Sequence, residues 1–570
     1  MTNILGISNA WDSGAALIMD GRIVAAANEE RFSRVKLERK FPDSSISFVL
    51  QRGGVTIDQI DLVVSGCWNG IDGTTTLPQL VEDVISQLGK ADSNTGEIVQ
   101  RRIRNSSLQD RTYRDELLGE LSALGVDRSK ILFFDHHYTH AVSAFCPSPF
   151  QDALVLTADG RGDFRSVSLW IATREGFSLV DMATELVSPG ALYGFVTKYL
   201  GFVPDRHEGK VTGLAAYGKM SEAYGLLADG YGFDYESSRL VSHIGNSYAP
   251  FVSASLEHLF RQLDNHSRED VAFAVQSLLE DSLISFLLHN VESLGLETFD
   301  LCLAGGCMGN VKLNYEFRKL PEVRNVYVFP HMGDGGLSLG AAMAATMDSG
   351  GKSNIPMPTA YLGPEYSDEH IRGRLDDAGL PHTRLEEDEI SETTARLLSE
   401  GRIVGWFQGR MEVGPRALGA RSILASATDQ TINETLNRRL DRTEFMPFAP
   451  ATIDTYASSC FQDWSPEDLS SQFMTMCYDC TPLLAEKCPA VVHVDNTARP
   501  QVVFRDNNPR YYDAIRAYVE RTGNPAIINT SFNHHEEPIV DSPDDAIRSL
   551  LNRNVDSLII GSYLVDVSST

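Results

Sequence analysis

One short pattern occurs twice in this chain. NILGIS (3–8) reads as a buried strand, followed by Asp12 and the small residues Ser13, Gly14, Ala15 and Ala16. AALIMDGRIVAAANEE (15–30) then reads as a hairpin turning at Asp20–Gly21. Further on, ALVLTA (153–158) reads as a strand and Asp159–Gly160 follow it. SVSLWIATREGFSLVDMATE (166–185) is then a second hairpin with its turn near Gly176. The two aspartates, Asp12 and Asp159, stand 147 positions apart. A repeated unit constrains the fold more than either copy alone, because it predicts two related halves.

Strand, Asp turn and hairpin in duplicate form the pattern of the actin-like ATPase superfold, whose halves clamp a nucleotide. A further pair of glycine-rich turns fits it. LCLAGGCMGN (301–310) is a strand running into Gly305 and Gly306, and VYVFPHMGDGGLSLGAAMAA (326–345) is a strand, a Gly333–Gly336 turn and a small-residue helix. Glycine lets backbone approach a ligand, and a helix N-terminus favours phosphate. SGGKSNIPMPTA (349–360) has the composition of a linker. After it come acidic helices over 368–400 and a strand at RIVGWF (402–407). The chain therefore divides into residues 1–355 and 361–570, two large domains rather than the roughly four that 570 residues would allow.

Charge narrows the function. The chain carries 49 Lys and Arg against 77 Asp and Glu, a net −28. That balance excludes most nucleic-acid partners and leaves small anionic substrates open. MTNILGIS lacks a basic leader region, and the most apolar stretch, 271–288, carries Glu280 and Asp281 and reads as an amphipathic helix. A soluble cytoplasmic protein without a membrane partner is expected. Eight cysteines are too sparse for a disulfide scaffold. Cys477, Cys480 and Cys488 with His493 make an incomplete zinc set lacking a second cysteine pair, so buried or free thiols are expected.

Four strings carry chemistry. In DHHYTHAVSAF (135–145), His136 and His140 share one face if the segment is helical, while His137 is turned about 100° away. Asp135 would cap that helix. The plain alternative is a pair of core or surface histidines. Carboxylates to complete a metal set could come from Asp159, Asp334 or Asp12, and imidazole with carboxylate suits Fe, Zn or Mn. GRMEVGPRALGARSILA (409–425) places Arg410, Arg416 and Arg421 among glycines, which suits capture of phosphate or carboxylate. DNTARPQVV (495–503) offers Arg499 at the entry to a strand. NPAIINTSFNHHEEPIV (524–540) offers a polar turn, Thr530 to Asn533, at a strand end.

These strings, together with EERFSR (29–34), EGKVTGLAAYGK (208–219), MPFAP (446–450), ARPQ (498–501) and NTSFN (529–533), give the chain a close resemblance to the NodU/CmcH family of O-carbamoyltransferases. The resemblance runs over nearly the whole chain. It implies an α/β fold in two parts: a duplicated actin-like (ASKHA) domain similar to TsaD, then a YrdC-like α/β domain. It also implies a reaction in which carbamoyl phosphate and ATP give carbamoyl adenylate, and the carbamoyl group then passes to a small-molecule hydroxyl. Under it, Asp12, Arg416, Arg442, Arg499 and Ser531 are catalytic. Lys210, Gly305, Gly306, Asn310, Gly335, Gly336 and Asn533 bind nucleotide. His136, His140, Asp159 and Asp334 hold a divalent metal, iron ahead of zinc or manganese, with magnesium accompanying ATP. A homodimer is also expected.

Two departures stand out. Trp11 occupies the place where the family often has histidine, and Leu440 and Met446 fall where it has basic groups, leaving Arg442, with Arg438 or Arg439, to compensate. Residues 69–127 and 220–265, irregular and polar, are expected to be loops that shape acceptor choice. A tRNA threonylcarbamoyl-type enzyme and a non-catalytic actin-like partner protein are the competing readings.

Overall fold

The computed structural model describes residues 2–67, 95–242, 257–443 and 445–566. The chain forms two compact units. The first comprises Met1–Val24, Lys40–Pro42 and Leu50–Pro356. The second comprises Ala25–Arg39, Asp43–Val49 and Met357–Thr570.

The first unit carries the duplication. Strands β1 (Asn3–Ser8), β2 (Gly14–Met19), β3 (Arg22–Asn28, grouped from Ala25 onward with the second unit), β4 (Leu62–Ser65) and β5 (Ile131–Phe133) form a sheet in the order β3-β2-β1-β4-β5. Strands β6 (Asp152–Gly162), β7 (Arg165–Thr173) and β8 (Gly176–Thr184) form a second sheet with β11 (Phe299–Ala304) and β12 (Val323–Val328). Its order, β12-β11-β6-β7-β8, repeats the first. Between them in sequence, β9 (Tyr231–Asp234) and β10 (Arg239–Ser242) pair as a separate hairpin. In both large sheets the leading strand, β1 or β6, pairs antiparallel with the next strand and parallel with a later one. Both leading strands are apolar and buried on both faces, as strands covered on two sides must be. This is the mixed, duplicated α/β architecture that the paired Asp motifs implied.

The two copies differ in one respect that matters for the site. Asp12 does sit in the turn after β1. Asp159 does not follow a strand end, because β6 continues to Gly162 with a register irregularity between Ala158 and Gly162. The turn falls instead at Asp163 and Phe164, both at positive φ. A bulge re-aims side chains, and here it displaces Asp159 from the regular ladder.

The expected amphipathic helix runs from Arg268 to Leu294. It is the one helix among the described residues long and apolar enough to cross a membrane, and 61% of its most apolar window is buried inside the protein. Its buried residues, among them Val275, Leu279, Leu283 and Phe286, make it a core helix of the first unit. Of the segments expected to be loops, residues 69–94 and 243–256 lie outside the described residues. The remainder is more regular than its composition suggested: Thr95–Ala123 is a single helix, and Glu222–Ala228 is a helix followed by the β9–β10 hairpin.

The second unit is built on an eight-stranded mixed sheet. Its strands are β13 (Thr383–Arg384), β14 (Val404–Phe407), β15 (Arg421–Ser426), β16 (Ala449–Ile453), β19 (Gln501–Val503), β20 (Ile527–Ser531), β21 (Ser557–Ile560) and β22 (Tyr563–Asp566). The order is β13-β22-β21-β14-β15-β20-β16-β19, and β17 (Tyr478–Asp479) pairs separately with β18 (Thr497–Ala498). The amphipathic helices Glu387–Ser399 and Pro509–Thr522 cover the sheet, burying Ile390, Leu398, Tyr511, Ile515 and Tyr518 against Trp406 and Leu424. The EERFSR string belongs here. Arg31 donates to the Gly414 carbonyl, Arg34 to the carbonyls of Pro538 and Ile539, and Glu29 accepts from the backbone of Ser44 and Ser45.

Two of the three glycine-flanked arginines donate to backbone carbonyls. Arg421 is fully buried and donates to the carbonyls of Gln408, Gly409, Ala420, Pro364 and Asp541, with its guanidinium stacked over Phe407. Arg410 donates to the carbonyls of Leu362 and Gly363. Both brace the turn. Replacing Arg421 with leucine leaves these carbonyls and the nearby Glu412 and Asp541 carboxylates without their cation. A loss of about 3–5 kcal/mol in unfolding free energy is expected, measured by urea titration of the tryptophan fluorescence. A loss below about 1 kcal/mol would contradict the bracing role.

All eight cysteines are free thiols, and Cys477, Cys480 and Cys488 are buried. His493 pairs with Asp495 at 3.4 Å. Among the described residues, the clusters able to hold a metal include no cysteine.

Candidate functional site

In the first unit the site is built on the helix His136–Phe145. The Asp135 carboxylate caps it by accepting from the Tyr138 amide at 2.8 Å, and Asp163 accepts from the His136 amide at 2.9 Å. Helical spacing stacks His136 and His140 on one face, with their Nε2 atoms 3.1 Å apart. His137 turns away, as its phase required, and its Nδ1 meets Thr157 Oγ1 at 2.8 Å. Asp159 Oδ2 stands 3.3 Å from His140 Nε2 and 3.9 Å from His136 Nε2. Asp334 Oδ1 stands 3.7 Å and 3.6 Å from the same two nitrogens. One ligand atom from each of the four lies within 4.8 Å of all the others. The histidines are enclosed, while the carboxylates keep 15% and 19% of their side-chain surface exposed.

The scaffold around this cluster is tight. The Gly306 amide donates to Asp159 Oδ2 at 2.9 Å, which fixes the carboxylate. Gly162 was not singled out in the sequence, yet any Cβ there would overlap the His136 ring. Burial by itself would lower the His136 pKa, but Asp334, Asp159 and Asp163 outweigh it and raise it to about 9. Burial would raise Asp159, but hydrogen bonds from His136 and His140 hold it well below the usual carboxylate range. His137 is pushed well below its ordinary value by burial, then by the neighbouring histidines. Two imidazole nitrogens facing each other beside two carboxylates fit a divalent cation. The carboxylates balance its charge and the nitrogens converge on one point.

The other expected residues of this unit are placed as follows. Asp12 is not one of the four; it pairs with His331 at 3.5 Å. Gly305 takes φ +96°, and Gly335 and Gly336 form the turn leading into the helix Leu337–Asp348. Lys210 is buried on the helix Glu208–Ala215. Asn310 caps the helix Val311–Arg318 and donates to Gln276 Oε1 at 2.8 Å. Gln276 also bonds Tyr193 and Glu280, whose pKa burial raises to about 7. This polar network was not legible in the sequence, because Tyr193, Asn310 and the Gln276–Glu280 pair come from separate segments.

In the second unit, Arg442, Ser531 and Asn533 come together. Arg442 donates to Thr530 Oγ1 at 2.8 Å, to the Ser531 carbonyl and hydroxyl at 3.0 Å, and to Asn533 O and Oδ1 at 2.9 and 2.8 Å. Arg416 is half-buried on the glycine-rich turn, which Glu412 organises by accepting from the amides of Leu418, Ala420 and Arg421. Asn529 and Gln501 tie the same turn to the sheet through the carbonyls of Ala417 and Leu418. Arg499 lines a small cavity with Phe448, His493 and Thr497. Glu412, Gln501 and Asn529 lay inside the quoted strings but carried no signal of their own.

The model described as carbamoyltransferase N-terminus matches residues 3–343, and that described as carbamoyltransferase C-terminus matches residues 395–567. Nodulation protein NolNO of Sinorhizobium fredii is 33% identical, over 99% of this chain and 80% of its own. An uncharacterized protein of Synechocystis is 32% identical, over 99% of this chain and 97% of its own. Component A of the (R)-2-hydroxyglutaryl-CoA dehydratase of Acidaminococcus fermentans, a solved structure, is 13% identical over 61% of this chain and 100% of its own, with a TM-score of 0.34.

Proposed function

The chain belongs to the carbamoyltransferase family, and on that premise we propose that it is an ATP-dependent O-carbamoyltransferase acting on a small-molecule hydroxyl. The observation that carries this reading is the convergence of His136, His140, Asp159 and Asp334 in a duplicated α/β unit, with a separate cationic turn around Arg442 in the second unit.

Carbamate is a weak electrophile, and joining it to AMP supplies a good leaving group. In the second unit, carbamoyl phosphate gives up phosphate with one water. The resulting carbamate oxygen bonds to the α-phosphorus of ATP and pyrophosphate leaves. Arg442, with Arg416 and Arg499, offers fixed guanidinium charge for these anions, while Ser531 and Asn533 shape the turn beside it. In the first unit, Gly305, Gly306, Gly335 and Gly336 let backbone approach the nucleotide, and Lys210 and Asn310 are the side chains assigned to bind it. The acceptor oxygen bonds to the carbamoyl carbon, AMP leaves, and Asp12 takes the hydroxyl proton.

A divalent ion held by the four-residue cluster would supply Lewis-acid charge at the adenylate phosphate. Iron is favoured over zinc or manganese, and magnesium accompanies ATP. The cytoplasm is the proposed compartment, consistent with eight free thiols. The net charge of −28 disfavours a tRNA acceptor.

Purified protein given carbamoyl phosphate and ATP is expected to release pyrophosphate, and to stop when carbamoyl phosphate is omitted. No pyrophosphate with any hydroxylated acceptor would overturn the proposal.

A further inference from the structure

Asp12 does not stand alone in the first unit. It occupies the turn between β1 and β2 with φ +57°, a left-handed conformation that aspartate adopts more readily than most residues. Its Oδ2 lies 3.5 Å from His331 Nε2. His331 sits three residues before Asp334 and is 3% exposed. The residue after Asp334 has to be glycine: a Cβ at position 335 would overlap both the His331 ring and Asp12 Oδ2. The imidazole and the carboxylate are therefore packed together against the peptide that follows Asp334. This fixes the Asp12 carboxylate relative to the four-residue cluster. The carboxylate keeps 15% of its side-chain surface exposed, whereas the imidazole keeps 4%. Of the two, only Asp12 can meet a substrate.

We propose that His331 is a positioning residue for the acceptor step: it holds the Asp12 carboxylate in the one orientation that receives the acceptor hydroxyl. The bond changes are those of the transfer step above. The acceptor oxygen bonds to the carbamoyl carbon, the bond from that carbon to the phosphate oxygen breaks, AMP leaves with the electron pair, and the proton goes to Asp12. His331 changes no bonds. This inference rests on the proposed function, and its failure is separable from failure of that reading.

The test uses the full chain with carbamoyl phosphate and ATP, and two nucleophiles. Methanol at high concentration stands for a hydroxyl that needs its proton removed. Hydroxylamine attacks without that help. Wild type is expected to form methyl carbamate and hydroxyurea. His331→Ala is expected to lower methyl carbamate by about 100-fold, the scale of one general acid–base contribution. Hydroxyurea and pyrophosphate should stay within about three-fold. His331→Asn keeps a donor and should recover methyl carbamate to within about ten-fold of wild type. Equal losses of both products in His331→Ala would overturn the proposal by showing a merely structural role. So would unchanged methyl carbamate, or a wild type that makes hydroxyurea and no methyl carbamate. Absence of pyrophosphate from wild type would instead overturn the proposed function.

Discussion

Replacing His140 with alanine is expected to remove the bound metal and slow carbamoyl transfer by about 1,000-fold, while pyrophosphate release stays within about three-fold of wild type. The size follows from losing several kcal/mol of charge stabilisation at the phosphate, with each 1.4 kcal/mol worth a factor of ten. His140 is the better choice of the two histidines for three reasons. Its Nε2 makes the closest approach to Asp159, at 3.3 Å. Its ring is 1% exposed, so no solvent ligand substitutes easily. And the helix does not depend on its side chain, since the cap comes from Asp135 and Ser143 Oγ bonds the His140 carbonyl, not the ring. Metal content by mass spectrometry, measured beside separate transfer and pyrophosphate assays, checks the result. Unchanged transfer in a metal-free variant would end the metal's role.

The second large effect is expected at Arg442. Arg442→Ala should reduce pyrophosphate release by at least about 100-fold, the cost of removing a fixed positive charge that also holds Thr530, Ser531 and Asn533 in place. Arg442→Lys should restore little of it. A single ammonium cannot reproduce five hydrogen bonds to Thr530, Ser531 and Asn533. Metal content in the first unit should be unaffected, which separates this variant from His140→Ala. Normal pyrophosphate release by Arg442→Ala would remove this turn from the adenylate-forming chemistry.

Local spacing made much of this molecule legible. An i, i+4 histidine pair has one geometric outcome once it is helical, so His136 and His140 meet while His137 does not. The repeated strand, Asp and hairpin pattern likewise became two sheets of one order. The rest depends on contacts between distant segments. The sequence places Asp159 in a turn because Asp-Gly favours one; the pairing of β6 with β7 carries the strand past it and leaves a bulge. Arg421 and Arg416 look alike on a glycine-rich string. One begins strand β15 with its guanidinium against Phe407 and the other is half-buried, and only tertiary packing distinguishes them. Residues 25–39 follow β2 in sequence yet pack in the second unit, through partners such as Gly414 and Ile539 more than 380 positions away. His331 gave no signal because its partner, Asp12, stands at the other end of the first unit's sequence.

In the proposed reaction the carbamoyl group travels on AMP. The most direct measurement supplies carbon-13 carbamoyl phosphate and ATP without acceptor, quenches the reaction, and examines nucleotides by mass spectrometry. Carbon-13 carbamoyl adenylate is expected, with pyrophosphate released in step with it. Cleavage of ATP to ADP and phosphate, with no carbon-13 in any nucleotide, would contradict the proposed reaction.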